Sequence, residues 1–375
     1  MKVLHIISSL GDGGAEAVLY RICTFDKACQ HEVISLTGMG KYGGRLIENG
    51  IEVVCLNMMR GKLSKLRDFI RLVRIIRRSK PDVVQTWMYH ADLLGGLAAR
   101  LAGVNNVFWG IRNTSLSPEF TSKGTIFVAR ACAALSAYVP RKIICAAGAA
   151  KLAHAEFGYS ERRMTVIHNG YDFIAYRPDR DLGWKIRQDL GLGCNDDLIG
   201  CVARYDKIKG HSNLLDALSI LKSAGITPYC LLVGSGLTHD NVEIRDEIER
   251  RGLQRQIILF GPTTDIPGIM NAIDVHVLPS RSEAFPNVLA ESMACGTPCI
   301  TTDVGDAALI VGELGLVVEK DHPQKLAMAL VQFLKEKKLS RWHDLRNDCR
   351  NLTLERFSVE VMVRKFLTVW NENGK

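Results

Sequence analysis

A short aliphatic run followed by a segment with helical spacing recurs along this chain. Runs at Val3–Ile7, His31–Leu36, Ile51–Leu56, Asp82–Thr86, Val107–Trp109 and Lys142–Cys145 each precede a helical stretch. Those stretches are Ala15–Cys29, Gly43–Asn49, Lys62–Ser79, Ala91–Ala102, Thr125–Ala137 and Ala149–Phe157. Repeated β-then-α units predict an α/β fold with a doubly wound parallel sheet. A second series opens at Leu198–Ala203 and continues through Tyr229–Val233, Gln256–Gly261, Val275–Leu278, Cys299–Thr301 and Val317–Val318. Residues 173–182, with Pro178, read as the linker between the two series. With 375 residues, each series has enough chain for its own core. A hydrophobic content of 47% excludes a disordered chain.

In open α/β sheets, ligands bind beyond the carboxyl ends of the strands. The stretch Asp274–Gly305 has the most chemistry at such an end. Val275–Leu278 is a strand closed by Pro279 and Ser280, and Asn287–Ala294 has helical spacing, stopped by Gly296 and Pro298. Glu283 therefore lies in the loop at the strand's end, and Glu291 lies in the helix. The helix start offers backbone N–H groups to an anion. In the first series, Ser8–Gly14 joins a strand to a helix through Gly11, Gly13 and Gly14, another phosphate-sized turn. The spacing is not Gly-x-Gly-x-x-Gly and no acid is placed for a ribose, so a dinucleotide site does not follow.

Charge is uneven. Residues 1–175 carry 23 Lys+Arg against 13 Asp+Glu, whereas the remainder is slightly acidic. The segment 60–80 holds Arg60, Lys62, Lys65, Arg67, Arg71, Arg74, Arg77, Arg78 and Lys80 against Asp68 alone. Its apolar stripe is Leu63, Leu66, Phe69, Ile70, Val73 and Ile76. The pattern suits contact with an anionic membrane and equally a solvated face on a packed helix. Phe69 is the one aromatic residue among these nine cations, too few to read as a stacking platform, which argues against nucleic acid. The N-terminal apolar run is too short for a signal peptide, and no run reaches the ~20 residues of a spanning helix. A cytoplasmic protein, peripheral on the inner face of the membrane, is expected. The 11 Cys form no Cys-x2-Cys pair and read as reduced thiols.

Ser282-Glu283-Ala-Phe285-Pro286-Asn287, with Glu291 eight residues after Glu283 and Met-Ala-Cys-Gly-Thr-Pro following, resembles the Glu-x7-Glu signature of retaining glycosyltransferases of family 4. The resemblance spans nearly the whole chain. It implies the GT-B fold, in which two Rossmann-like domains face each other across a cleft. Residues 1–175 would bind acceptor and 176–355 the donor, with a terminal helix at about 356–375 crossing back onto the first domain. The resemblance gives Glu283 to sugar hydroxyls, Glu291 to the nucleotide ribose, and the backbone from Phe285 through Pro286 and Asn287 to Val288 to sugar and phosphate. Arg204 and Lys209, in Arg204-Tyr-Asp-Lys-Ile-Lys209-Gly, match the pair that clamps the donor diphosphate. Gly234-Ser-Gly236 matches a turn near the nucleotide. Gly13 and Gly14 match a first-domain loop facing the pyrophosphate. His90, in Thr-Trp-Met-Tyr-His90-Ala-Asp, takes the place of a histidine near the donor sugar. The polar loop from Arg112 to Pro118 would suit an acceptor. Asn169-Gly170-Tyr-Asp172 resembles the segment before the interdomain linker. Asp306 replaces one of a pair of glycines near the phosphate.

The resemblance implies transfer of a sugar, with retention, from a nucleoside diphosphate sugar (a UDP-sugar foremost) to a glycan or polyprenyl-diphosphate-linked acceptor. A bacterial surface polysaccharide such as O-antigen or capsule is the expected product. Asp179-Arg-Asp181 has the spacing of a metal-binding Asp-x-Asp, but it lies in the linker and reads as solvated surface, so no metal is expected. A nucleotide-sugar 2-epimerase and a catalytically idle nucleotide-sugar-binding subunit are the alternatives on the same fold.

Overall fold

The computed structural model describes residues 1–58, 65–113, 116, 121–283 and 285–372. The chain divides into two compact units, 1–171 with 359–375, and 172–358. The start of the basic segment, with Arg60, Lys62 and Leu63, lies outside the described residues. So do most of the loop following Arg112 and, within the Glu-x7-Glu stretch, Ala284.

Unit 1 alternates strand and helix: β1 Lys2–Ile7, α1 Gly14–Phe25, β2 Gln30–Ser35, α2 Gly40–Glu48, β3 Glu52–Cys55, α3 Lys65–Ser79, β4 Val83–Trp87, α4 Tyr89–Leu101, β5 Val107–Ile111, α5 Lys123–Leu135, β6 Lys142–Cys145, α6 Gly148–Glu156 and β7 Met164–Val166. Its seven strands are parallel, in the order β3-β2-β1-β4-β5-β6-β7. β4 and β5 are buried along their whole length, as continuous apolar strands covered on both faces must be.

Unit 2 comprises α7 Arg180–Asp189, β8 Leu198–Val202, α8 His211–Ser223, β9 Tyr229–Val233, α9 Val242–Arg250, β10 Ile257–Gly261, α10 Ile266–Ala272, β11 Val275–Leu278, α11 Asn287–Ala294, β12 Cys299–Thr302, α12 Ala307–Val311, β13 Leu316–Val318, α13 Pro323–Glu336 and α14 Trp342–Phe357. Its six parallel strands run β10-β9-β8-β11-β12-β13. At the amino end of this sheet Asp274 accepts from Arg187 Nη2 at 2.9 Å, Lys337 Nζ at 2.8 Å and the Leu198 amide at 2.9 Å. That buried network ties α7 and α13 to the sheet and leaves the opposite, carboxyl edge to the loops.

The last helix, α15 Val359–Asn371, belongs to unit 1. It buries Val359, Met362, Phe366 and Trp370 in that unit's core, and Trp370 Nε1 donates to Gln85 Oε1 at 3.1 Å. In both sheets the strand order reverses between the first and fourth strands of the unit, the arrangement of a dinucleotide-binding sheet. A crevice opens at that reversal, beyond the strand ends.

Two expectations from the sequence differ from the structure. Asp179 is not free surface: its carboxylate caps α7, accepting from the Leu182 amide at 3.0 Å, so the segment read as linker already begins a helix. On α3, the buried face is Leu72, Val73 and Ile76, whereas Leu66 and Ile70 are 70% and 41% exposed. The apolar stripe expected for packing is thus split between the core and the solvent side. The Cys thiols are free, and most are buried.

Candidate active site

In unit 2 the reversal lies between β8 and β11, so the loops 203–210 and 279–283 form its crevice. The first loop turns sharply. Asp206 caps a short 3-10 turn at Lys207–Lys209, accepting from the Ile208 amide at 2.9 Å. That hydrogen bond, followed by the Arg204 guanidinium 3.2 Å away, holds the Asp206 carboxyl below the usual carboxylate range. Gly210 ends the turn at φ +69°. A Cβ there would sit 2.0 Å from the Pro279 carbonyl oxygen, so the two loops pack backbone against backbone. Arg281 fastens them: its amide donates to the Ile208 carbonyl at 2.7 Å, and its guanidinium reaches the Lys207 carbonyl at 3.3 Å and Asp321 at 2.7 Å.

This close approach brings Lys209 Nζ to 2.7 Å from Glu283 Oε1. Ser280 Oγ donates to the same oxygen at 2.7 Å. Glu283 is thereby held in one place at the strand's end. Arg204, at the start of the loop that carries Lys209, remains largely exposed. Gly234 and Gly236 close the adjoining turn. The Tyr205 amide donates to the Ser235 carbonyl at 2.7 Å, and a Cβ on Gly234 would meet the Ala203 carbonyl oxygen at 2.2 Å. After Phe285 and Pro286, α11 begins without a side-chain cap. Phe285 is buried against Phe357, with ring centroids 5.4 Å apart, so its side chain is closed to a ligand. Asn287 and Val288 form the first turn of α11, and Glu291 follows one turn later, half-buried. The structure therefore gathers Arg204, Lys209, Gly234, Gly236, Glu283 and the start of α11 at one edge of one sheet. Ser280, Arg281 and Asp206 were not singled out from the sequence. Ser280 and Arg281 lie inside the Pro-Ser-Arg-Ser-Glu run, and the Asp206 cap is visible only once the turn is folded.

In unit 1 the reversal lies between β1 and β4. Gly13 precedes α1 and Gly14 begins it, with no side-chain cap. Glu16 lies in that first turn and accepts from Ser9 Oγ at 3.2 Å, so a carboxylate already stands at this helix start beside Gly13. His90 is exposed in the first turn of α4. Just before it, Met88 is held at φ 71°, ψ 157°, a region that side-chain-bearing residues avoid. The Met88 amide donates to the Gly110 carbonyl at 2.9 Å. Asp92, fully buried, accepts from Thr86 Oγ1 at 2.5 Å and the Gly110 amide at 3.3 Å. Burial outweighs those hydrogen bonds and pushes its carboxyl up to about 8.

Two family models match the chain: "Glycosyltransferase Family 4" over residues 12–173 and "Glycosyl transferases group 1" over 196–336. The chain belongs to glycosyltransferase family 4. The UDP-Gal:alpha-D-GlcNAc-diphosphoundecaprenol alpha-1,3-galactosyltransferase of Escherichia coli is 26% identical over 84% of this chain and 81% of its own. The capsular polysaccharide biosynthesis glycosyltransferase CapM of Staphylococcus aureus is 25% identical over 82% of this chain and 81% of its own. Among solved structures, Anabaena HepE in complex with UDP superposes with a TM-score of 0.85 at 24% identity, each chain covered completely. The fold is GT-B, with two Rossmann-like units.

For a family 4 glycosyltransferase, the residues assigned by resemblance to the donor all fall in unit 2 except Gly13, Gly14 and His90. Among the described residues, one group has metal-ligand spacing: His5, Cys23 and His31, with one ligand atom each within 4.8 Å of one another, buried in unit 1. Their ring nitrogens are already committed. Trp87 Nε1 can only donate, and it does so to His5 Nδ1 at 3.2 Å. His5 Nε2–H then donates to His31 Nδ1 at 2.9 Å, and His31 Nε2–H to Asp26 Oδ2 at 3.1 Å. Burial lowers both histidines, in keeping with neutral rings in a fixed tautomer chain. The group is a hydrogen-bond relay that orients Trp87.

Proposed function

We propose that this family 4 glycosyltransferase retains anomeric configuration while moving a sugar from a UDP-sugar to a polyprenyl-diphosphate-linked acceptor in bacterial surface polysaccharide synthesis. The observation that carries the reading is Glu283, fixed by Lys209 and Ser280 beside the uncapped start of α11, with Arg204 on the adjoining loop. A nucleoside diphosphate gains negative charge as the bond to the sugar breaks. Fixed cations and helix-terminal N–H groups stabilise that charge most in the transition state. Arg204, Lys209 and α11 supply such groups without a metal, and the reaction is proposed to be metal-independent. Lys209 turns from Glu283 to the diphosphate when the donor binds, freeing the carboxylate for sugar hydroxyls. On the same face, the departing phosphate oxygen helps take the acceptor's proton. Support for the substrates comes from the UDP in HepE and from the names of the Escherichia coli and Staphylococcus aureus relatives.

The acceptor reading includes a membrane visit by α3. Arg67, Arg71, Arg74, Arg77, Arg78 and Lys80 are exposed there together with Leu66 and Ile70. Exposed apolar residues among basic ones suit an anionic interface. Among the described residues no helix is long and apolar enough to cross a membrane. The test is transfer by purified Glu283→Gln and Arg204→Ala variants. Each should fold and lose transfer; in Arg204→Ala the loss of one transition-state cation costs about 3 kcal/mol in barrier. Turnover near wild type in either variant would overturn the assignment.

A further inference from the structure

We propose that Arg112 is an anion-binding residue of unit 1 that receives two oxygens of a phosphate or carboxylate on the acceptor. The proposal deepens the transferase reading and rests on its acceptor lying on this unit.

Arg112 follows the last residue of β5, at the same carboxyl edge of the sheet as Gly13 and His90. Its guanidinium lies over the Trp87 ring, 4.9 Å from the centroid, and 5.7 Å from that of Phe366. Nη1 donates to Asn169 Oδ1 at 3.0 Å. The remaining edge, Nε and Nη2, is buried and has no hydrogen-bond partner. These two nitrogens form the fork that grips a phosphate or carboxylate with two parallel hydrogen bonds. The stack and the Asn169 contact thus hold the group by its other edge and leave the two-pronged one buried and unpartnered.

Uncompensated burial makes this arrangement costly. A buried cation normally takes a counter-ion and fills its hydrogen bonds, because desolvation costs several kcal/mol otherwise. The nearby acid, Asp92, is a poor counter-ion, because burial raises its carboxyl to about 8 and so favours the neutral form. Desolvation also lowers Arg112 itself, to about 10, still well charged. The cost is borne at a point that the protein makes rigid. Trp87, on which Arg112 lies, is fixed by the Trp87–His5–His31–Asp26 relay, drawn from three strands and the end of α1. An oriented, desolvated guanidinium with an unpartnered fork is a preorganised receptor for an oxyanion.

The test titrates the full-length protein by calorimetry, with and without saturating UDP. Geranyl diphosphate represents a lipid diphosphate, methyl glucuronide an acidic sugar, and geraniol the uncharged control. Wild type, Arg112→Gln and Arg112→Lys are compared, because Lys keeps a buried cation but lacks the fork. The expected result is binding of one of the two anions but not geraniol, weakened about tenfold or more in both variants. UDP affinity should stay within twofold throughout. If the diphosphate is the ligand that depends on Arg112, the oxyanion is a phosphate; if the glucuronide is, it is a carboxylate. Equal binding of the anions to all three proteins, or binding of neither anion to wild type, would overturn the proposal. Loss of UDP binding in wild type would instead strike the donor reading, since the UDP-free arm still compares Arg112 with its variants. Should Arg112→Gln fail to fold, the Lys variant decides.

Discussion

Gly210→Ala is expected to separate the two loops that hold Glu283, and Gly225→Ala provides its internal control. Both glycines are left-handed, at φ +69° and +77°. A Cβ at Gly225 meets nothing within 4 Å, whereas one at Gly210 lies 2.0 Å from the Pro279 carbonyl oxygen. Alanine in the left-handed region costs about 1 kcal/mol at either site. At Gly210 the backbone must also move away. That movement strains the 2.7 Å hydrogen bond from the Arg281 amide to the Ile208 carbonyl and the 2.7 Å contact between Lys209 and Glu283. Each contributes on the order of 1 kcal/mol, the ion pair being partly exposed. The total for Gly210→Ala is about 3 kcal/mol. In a unit of this size 1 kcal/mol shifts Tm by about 2–4 °C. Scanning calorimetry should therefore show a fall of about 2–4 °C for Gly225→Ala and about 6–12 °C for Gly210→Ala. UDP affinity should weaken only in the latter. Equal Tm shifts would refute the packing of loop 203–210 on loop 279–283.

Two further outcomes follow from unit 1. Met88→Gly should be more stable than Met88→Ala by about 1–3 kcal/mol, since both lose the side chain but only Gly accepts φ 71°, ψ 157° without strain; equal urea midpoints would show the turn relaxed in solution. Asp92 is raised from 3.8 to about 8, so the stability linked to its protonation is complete below pH 4 and is lost as pH rises through about 8. Asp92→Asn should remove that fall, and parallel stability–pH curves for variant and wild type between pH 5 and 8.5 would contradict it.

The sheets were legible because buried parallel strands are continuous aliphatic runs, and the Glu283 loop because its residues are contiguous. Other features were hidden for identifiable reasons. α14 buries only Trp342, Cys349, Thr353 and Phe357, a stripe too sparse to stand out from its polar sequence. The exposure of Leu66 and Ile70 depends on which side of α3 meets the sheet, which apolar spacing alone does not fix. The carboxylate of Glu16 over the α1 start turns on the orientation of one side chain. The relay behind Trp87 joins His5, Asp26, His31 and Trp87, brought together only by strand order β2-β1-β4. Asp306 is buried at the start of α12, which its place after Gly305 in a turn does not reveal.

The central claim is that unit 2 binds a nucleoside diphosphate through Arg204, Lys209 and the start of α11 without a metal. Its most direct test is calorimetric titration of the full-length protein with UDP, GDP and ADP, each with and without magnesium. The account predicts UDP binding of equal affinity in both conditions, weakened in Arg204→Ala. Absence of binding by all three nucleotides, or binding only when magnesium is present, would contradict it.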